Sequence, residues 1–78
     1  MKQDYNSEDK KVLETFGSNL RRLREEAELS QEKLAFNCGL DRTYVGSVER
    51  GERNISLLNI KKLASSLEVE LDQLLSKI

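Results

Sequence analysis

Polar side chains between residues 42 and 50 have the types and the spacing that could recognise another molecule. At 100° per residue, a helix over this segment would turn Val45 and Val48 inward. The outward positions would then be Thr43, Gly46, Ser47 and Arg50, with Arg42 on the flank at the helix start. An arginine can donate two hydrogen bonds to the O6 and N7 atoms of a guanine, and a threonine offers a methyl and a hydroxyl to base edges. The alternative is an ordinary solvated helix face.

The residues that catalysis or metal binding would need are missing from the sequence. There is no His, so the single Cys, Cys38, has no His partner. No metal-ligand cluster and no glycine-rich phosphate loop is present. We therefore predict that the chain is not an enzyme and that it binds no cofactor, metal or small molecule. Cys38 is expected to be a core residue, with redox sensing as the alternative.

The segment 31–51 has the pattern of two short helices joined by a tight turn. Leu34, Ala35 and Cys38 share one face of the first helix, and the small Ala35 would let the two helices cross closely. Gly39 follows, and glycine readily adopts the left-handed backbone that a sharp turn needs. This pattern predicts a helix-turn-helix over residues 31–51, a motif whose second helix usually lies in the DNA major groove.

Length and composition predict one small all-helical domain over residues 1–78. The 13 basic and 14 acidic residues nearly cancel, so bulk charge does not indicate nucleic-acid binding. Residues 41–62 carry five basic and three acidic side chains, a net charge of +2, which is weak evidence by itself. A lone Cys, no apolar run near the ~20 residues of a membrane span, and no signal-peptide core predict a soluble, cytoplasmic protein without a membrane partner.

Apolar spacing and capping residues divide the chain into five helices. Residues 1–6 are polar and expected to be frayed. The first helix has an apolar face at steps of three and four, made of Leu13, Phe16, Leu20, Leu23 and Ala27. Predicted N-caps are Ser7, Ser30, Asp41 and Ser56. Gly51 should end the third helix and Glu68 the fourth, and a last short helix is expected over about 70–76. Gly17 lies inside the first helix, where close approach of a neighbouring helix is a possible reason for it.

These residues resemble the Cro/phage-repressor-like (XRE) helix-turn-helix family from about residue 16 to 75. The resemblance is carried by Leu23-Arg24, Leu29-Ser30-Gln31, Leu34-Ala35, Gly39-Leu40, Val45, Val48-Glu49-Arg50-Gly51, and Leu63-Ala64 with Leu67. It implies an all-α five-helix bundle of the lambda-repressor-like DNA-binding type. Within the family, the segment 40–56 is similar to the small controller proteins of restriction–modification systems, through Asp41-Arg42-Thr43-Tyr44 and Arg53-Asn54.

The resemblance also implies roles for individual residues. Base reading falls to Arg42, Thr43 and Ser47, while Gly46 either removes a base-reading side chain or lets the backbone approach the DNA. Phosphate contacts fall to Gln31, Tyr44, Arg50, Arg53 and Asn54, with helix capping as the alternative for Gln31 and packing for Tyr44. Arg24 and Glu49 are expected to form a structural ion pair between the first and third helices.

The C-terminal helices, residues 57–76, carry more apolar side chains than a small monomer can bury. An exposed apolar surface of this kind marks an interface. The predicted dimer-interface residues are Leu58, Val69, Leu71, Leu74, Leu75 and Ile78. Relatives dimerise through this region, so we expect a twofold-symmetric homodimer. The alternative is a C-terminus that folds back onto its own chain.

The sequence therefore predicts a sequence-specific transcriptional regulator that binds double-stranded DNA as a dimer on a palindromic operator. The controller-protein resemblance implies that it regulates its own gene and that of a restriction endonuclease. A small phage-type repressor is the alternative within the same class. An antitoxin-like protein-interaction module is the alternative from another class, although no extra toxin-binding tail is evident.

Overall fold

The computed structural model describes residues 4–78, and within them the chain forms five α-helices. They are α1 (Ser7–Glu26), α2 (Gln31–Cys38), α3 (Arg42–Glu49), α4 (Leu57–Leu67) and α5 (Leu71–Leu74). The predicted all-α, five-helix architecture is confirmed. The prediction that residues 1–6 are frayed falls partly on residues 1–3, which lie outside the described part of the chain.

Each of the first four helices begins where a small polar side chain can accept a backbone N–H. Ser30, Asp41 and Ser56 cap α2, α3 and α4 as predicted, at 3.0, 3.3 and 3.2 Å. The prediction for α1 is wrong by one residue, because Asn6 caps the helix in place of Ser7. The Asn6 Oδ1 accepts the first-turn N–H at 2.8 Å, which makes residue 6 part of the helix boundary and not of a frayed end.

Left-handed residues stop the helices at the predicted places. Gly39, with φ of 70°, ends α2, and Gly51, with φ of 76°, follows the end of α3. Glu68 ends α4 in the same conformation, with φ of 58°. The last helix is shorter than predicted, Leu71–Leu74 against about 70–76, although Glu70 does begin it through a reciprocal capping box with Gln73.

One apolar core joins all five helices. α3 packs against α1 and α2, α2 also packs against α4, and α5 closes the core against α1 and α4. The buried apolar side chains are Phe16, Leu20, Leu23, Leu34, Ala35, Val45, Val48, Ile60, Leu63, Ala64, Leu67 and Leu74. Cys38 is half-buried at the edge of this core, as predicted for a packing residue. Across residues 4–78, no helix is both long and apolar enough to span a bilayer.

Gly17 is the point at which α1 meets the end of α3. A Cβ at this position would lie 2.6 Å from the Val48 carbonyl oxygen and still closer to that of Glu49. Both obstacles are backbone atoms, which cannot rotate out of the way. The close approach that Gly17 permits therefore fixes how α3 lies across α1.

We expect Gly17→Ala to destabilise the domain by about 1–3 kcal/mol or more, because the methyl group must push two helix backbones apart. In an exposed helix the same change would stabilise by about 1 kcal/mol. Gly46→Ala is the matched control, since it also replaces a mid-helix glycine. Its Cβ would meet only the ends of flexible side chains, Arg50 Nη1 and Gln31 Oε1, each at 3.3 Å. Urea unfolding of both variants tests this, and a Gly17→Ala protein as stable as wild type would contradict it.

Candidate nucleic-acid interface

Helix α3 is held in place from two sides. Val45 and Val48, each 1% exposed, pack into the core as predicted, and the helix contacts both α1 and α2. Gly39 supplies the left-handed residue between α2 and α3, and the N–H of Leu40 donates to the Ala35 carbonyl at 2.8 Å to close the turn. The result is a rigid helix-turn-helix over residues 31–51, with only the start of α3 projecting freely.

Arg42 and Thr43 occupy that projecting start. Both side chains are exposed, at the first two positions of α3. The Asp41 cap fixes the direction of the backbone immediately before them, since its carboxylate accepts the Thr43 N–H. These two side chains stand where the sequence predicted base-reading groups to be, on a helix end that packing holds still.

The predicted exposure of Gly46 and Ser47 is wrong. Both are buried, and Ser47 is only 5% exposed. Val45 and Val48 alone indicate a single inside face for α3. The helix is in fact covered on more than one flank, because Gln31 from α2 lies next to Gly46 and residues after α3 fold back over Ser47. With Arg53 in this position, the Ser47 side chain is not presented on the open surface of α3.

Ser47 instead belongs to a small polar cluster with Tyr44 and Arg53. Its Oγ donates to the Tyr44 carbonyl oxygen at 2.7 Å and accepts from Arg53 Nε at 3.2 Å. The Arg53 guanidinium lies over the Tyr44 ring, 5.5 Å from its centroid. Asn59 Nδ2 donates to the Tyr44 hydroxyl at 3.3 Å. Tyr44 is half-buried and packs against the core.

The predicted ion pair between Arg24 and Glu49 is present. Arg24 Nε and Nη2 donate to the two carboxylate oxygens of Glu49 at 2.6 and 3.1 Å, and the side chains are 12% and 3% exposed. The hydrogen bond to Glu49 raises the pKa of Arg24, while partial burial opposes the rise. Arg24 Nη1 also donates to the Leu29 carbonyl at 2.8 Å, so one guanidinium ties α1 to both α3 and the α1–α2 connection.

Gln31 lies at the first position of α2, where the sequence placed a phosphate contact. Its Nε2 donates to Glu49 Oε1 at 3.0 Å, which orients the amide but occupies only one of its two N–H groups. Ser30 accepts the N–H of Lys33, while the earliest N–H groups of a helix have no intrahelical partner. The start of α2 can thus offer a side-chain amide and backbone donors to one anion.

Three further phosphate candidates follow α3. Arg50, Arg53 and Asn54 are all exposed. Arg50 donates to both carboxylate oxygens of Glu52, at 3.0 and 3.1 Å, and this pairing raises the pKa of Arg50 and lowers that of Glu52. This pairing uses two of the five guanidinium N–H groups of Arg50, those on Nε and Nη2. Asn54 lies in a shallow cleft against the first turns of α1, away from Arg42.

The predicted C-terminal interface residues divide into three groups. Leu58, Leu75 and Ile78 are 75%, 41% and 51% exposed. Val69 and Leu71 are partly buried against the core. Leu74 is completely buried in its own subunit, so its assignment to a dimer interface is wrong. The short α5 turns the Leu74 side chain inward, into the core between α1 and α4.

Two residues that contact the predicted phosphate-binding side chains were not predicted from the sequence. Glu52 neutralises Arg50 across a two-residue spacing, which matches no helical pairing rule. Asn59 reaches Tyr44 from the next helix, fifteen residues along the chain. A pairing between an arginine and a nearby carboxylate could have been suspected from Arg50-Gly51-Glu52 alone. The contact of Asn59 has no signal in the sequence.

Comparison with known proteins identifies the family to which this helix-turn-helix belongs. Residues 20–74 match the family model HTH_3, helix-turn-helix. The chain is 47% identical over 64 residues to the control protein C.MunI of a Mycoplasma species, covering 81% of this chain and 86% of that protein. It is 49% identical over 61 residues to the control protein C.BamHI of Bacillus amyloliquefaciens, covering 77% and 75%.

A solved structure agrees with the fold. The crystal structure of the restriction-modification controller protein C.AhdI from Aeromonas hydrophila superposes with a TM-score of 0.78 at 60% identity, covering 80% of this chain and 94% of that one. The family match extends over most of the chain and includes all of α2, α3 and α4. This chain therefore belongs to the helix-turn-helix family HTH_3, of the Cro/phage-repressor-like (XRE) type.

Proposed function

We propose that this protein is a sequence-specific DNA-binding transcriptional regulator, and that it is the controller protein of a restriction–modification system. The observation that carries the proposal is the exposed Arg42-Thr43 pair at the start of a helix clamped between α1 and α2. The names of the relatives support the narrower assignment. In that role it regulates its own gene and the gene of the endonuclease.

Base reading in this proposal falls to two residues. Arg42 donates to the O6 and N7 atoms of a guanine, and Thr43 contacts a neighbouring base through its methyl or hydroxyl. Gly46 contributes no side chain, and the space that a Cβ would fill is bounded by Gln31 and Arg50.

Phosphate contacts hold α3 in the groove. Gln31 binds one phosphate at the start of α2, and Arg53 binds another beside Tyr44, whose hydroxyl lies near the same surface. Arg50 and Asn54 add weaker contacts, since the Glu52 carboxylate already offsets the charge of Arg50. Such contacts position the protein and carry no sequence information by themselves.

A titration of duplex DNA at several salt concentrations tests DNA binding directly. We expect the logarithm of the affinity to fall steeply and linearly with the logarithm of salt concentration, because bound phosphates release counterions. A duplex containing the operator should bind about 10³-fold or more tightly than a random duplex at physiological salt. Equal affinity for both would contradict the proposal.

A homodimer completes the proposed regulator. We assign the interface to the exposed apolar side chains of Leu58, Leu75 and Ile78, together with the partly buried Val69 and Leu71. To read a palindromic operator, such a dimer needs its two α3 helices about 34 Å apart, which is one turn of B-DNA.

We expect sedimentation equilibrium at micromolar concentration to give about twice the 9.0 kDa chain mass. Leu58→Glu should convert the protein to a monomer, because it puts a charge into the apolar interface. The variant should still fold, since a carboxylate is favourable in the first turn of α4. Phe36→Glu is the matched control: Phe36 is 78% exposed but lies on α2, outside the proposed interface, so its mass should remain that of a dimer. A wild-type protein that stays monomeric would contradict this interface.

A further inference from the structure

The burial of Ser47 leaves its hydroxyl with a different task from base reading. Ser47 is one of the few buried polar side chains in the described part of the chain, and its Oγ has two partners. It donates to the Tyr44 carbonyl oxygen at 2.7 Å and accepts from Arg53 Nε at 3.2 Å. Donating in one direction leaves a lone pair available in the other, so the hydroxyl links the body of α3 to the side chain of Arg53.

The Tyr44 ring restrains the same guanidinium from a second direction. The Arg53 guanidinium carbon lies 5.5 Å from the ring centroid, and the Tyr44 hydroxyl accepts from Asn59 Nδ2 at 3.3 Å. The ring is thus itself held by α4. A hydrogen bond at Nε together with a ring contact restricts both the position and the orientation of the planar guanidinium.

The two terminal nitrogens of the Arg53 guanidinium remain available to donate to a ligand. Arg53 is exposed, and among residues 4–78 its recorded hydrogen bond uses Nε, so that Nη1 and Nη2 remain without a hydrogen-bond partner there. Two parallel N–H groups on these nitrogens match two oxygens of a phosphate. An unrestrained arginine loses considerable rotamer freedom on binding, and restraint before binding removes that cost.

We propose that Ser47 is a positioning residue for DNA binding, which acts by holding Arg53 over Tyr44 so that its Nη1 and Nη2 meet one backbone phosphate as a pair. The proposal rests on the proposed function, because it takes Arg53 to be a phosphate contact. It assigns Ser47 no contact with DNA. It also makes the geometry of Arg53, and not its charge alone, the source of the affinity.

A double-mutant cycle separates this role from a purely structural one. The affinity of the full-length protein for the duplex that it selects is measured for wild type, Ser47→Ala, Arg53→Lys and the double variant. Ser47→Ala should weaken binding by about threefold to tenfold per subunit, or about tenfold to a hundredfold for a dimer on a palindrome. Arg53→Lys keeps the charge but has no Nε–H and no planar fork, so it should lose a similar amount. The double variant should bind like Arg53→Lys alone, because Ser47 then has nothing left to position.

Effects that multiply in the double variant would overturn the proposal, since Ser47 would then act independently of Arg53. Ser66→Ala is the matched control: it also removes a helical hydroxyl, here a half-buried one on α4 that accepts from Cys38 Sγ, and should leave DNA affinity unchanged. If Ser47→Ala does not fold, Arg53→Lys decides alone, and wild-type affinity in that variant overturns the proposal. If the wild-type chain enriches no duplex, the proposed function itself fails, and the role of Ser47 falls with it.

Discussion

Arg24→Ala should destabilise the domain by about 3–5 kcal/mol, because it leaves the Glu49 carboxylate buried without its partner. Glu49 is 3% exposed at its side chain, and it accepts two hydrogen bonds from Arg24 and one from Gln31. The amide of Gln31 alone cannot neutralise the charge. The variant would also lose the bond from Arg24 to the Leu29 carbonyl. The total free energy of unfolding of a domain of this size is roughly 4–12 kcal/mol, so a loss of this size should bring the variant close to unfolding.

Arg21→Ala provides the matched control one turn earlier on α1. Arg21 also pairs with a glutamate, Glu25, but at 3.3 Å with side chains 65% and 55% exposed. Exposed pairs of this kind contribute about 0.3–0.5 kcal/mol, so the control should unfold almost as wild type does. Urea unfolding monitored by circular dichroism gives both values. In the double variant Arg24→Ala with Glu49→Ala, the loss should be smaller than the sum of the single losses. If Arg24→Ala lowers the free energy of unfolding as little as Arg21→Ala does, Arg24 and Glu49 do not form a buried, coupled pair.

Arg42→Ala should remove the preference for one guanine in each half-site while leaving the fold intact. Arg42 is exposed and belongs to no ion pair recorded among residues 4–78, so its removal should cost little stability. A bidentate contact to guanine discriminates by about 1–3 kcal/mol per half-site, and two half-sites bring the expected loss to about 2–6 kcal/mol. The measurement is the ratio of affinities for the operator and for a random duplex at one salt concentration.

The random-duplex arm of that experiment distinguishes a base contact from a phosphate contact. Loss of a base contact lowers operator affinity much more than random affinity, whereas loss of a phosphate contact lowers both about equally. Arg53→Ala is the comparison variant, since Arg53 is the proposed phosphate ligand and is similarly exposed. Arg42→Ala should reduce the ratio of operator affinity to random-duplex affinity, and Arg53→Ala should leave that ratio unchanged. Parallel losses in both variants would contradict base reading by Arg42.

Local chemistry explains why the helix-turn-helix could be predicted so closely from the sequence. Ser30 and Asp41 are good N-caps, and each precedes a segment of periodic apolar residues. Gly39 and Gly51 follow those two segments, and glycine tolerates the positive φ found at both positions. Each of these signals acts within four residues of the boundary it sets. Asn6 was missed because it stands beside Ser7, and both residue types cap helices equally well.

Tertiary packing accounts for the failures. The exposure of Ser47 depends on how residues 50–55 return across α3, and helix periodicity contains no information about that path. Leu74 was assigned to an interface because apolar surplus alone does not say which side of α5 meets the core. The close approach of a neighbouring helix offered as the reason for Gly17 is confirmed, but only packing identifies the neighbours as the Val48 and Glu49 carbonyls, some thirty residues later.

Selection of bound sites from a pool of random duplexes tests the central claim most directly, which is that the start of α3 reads base edges. The wild-type protein should enrich one palindromic sequence, with a guanine in each half-site and half-sites about one helical turn apart. Arg42→Ala, run in parallel, should lose the enrichment at that guanine while other positions keep theirs. Recovery of unrelated sequences by the wild-type protein, or of the same guanine by Arg42→Ala, would contradict the account.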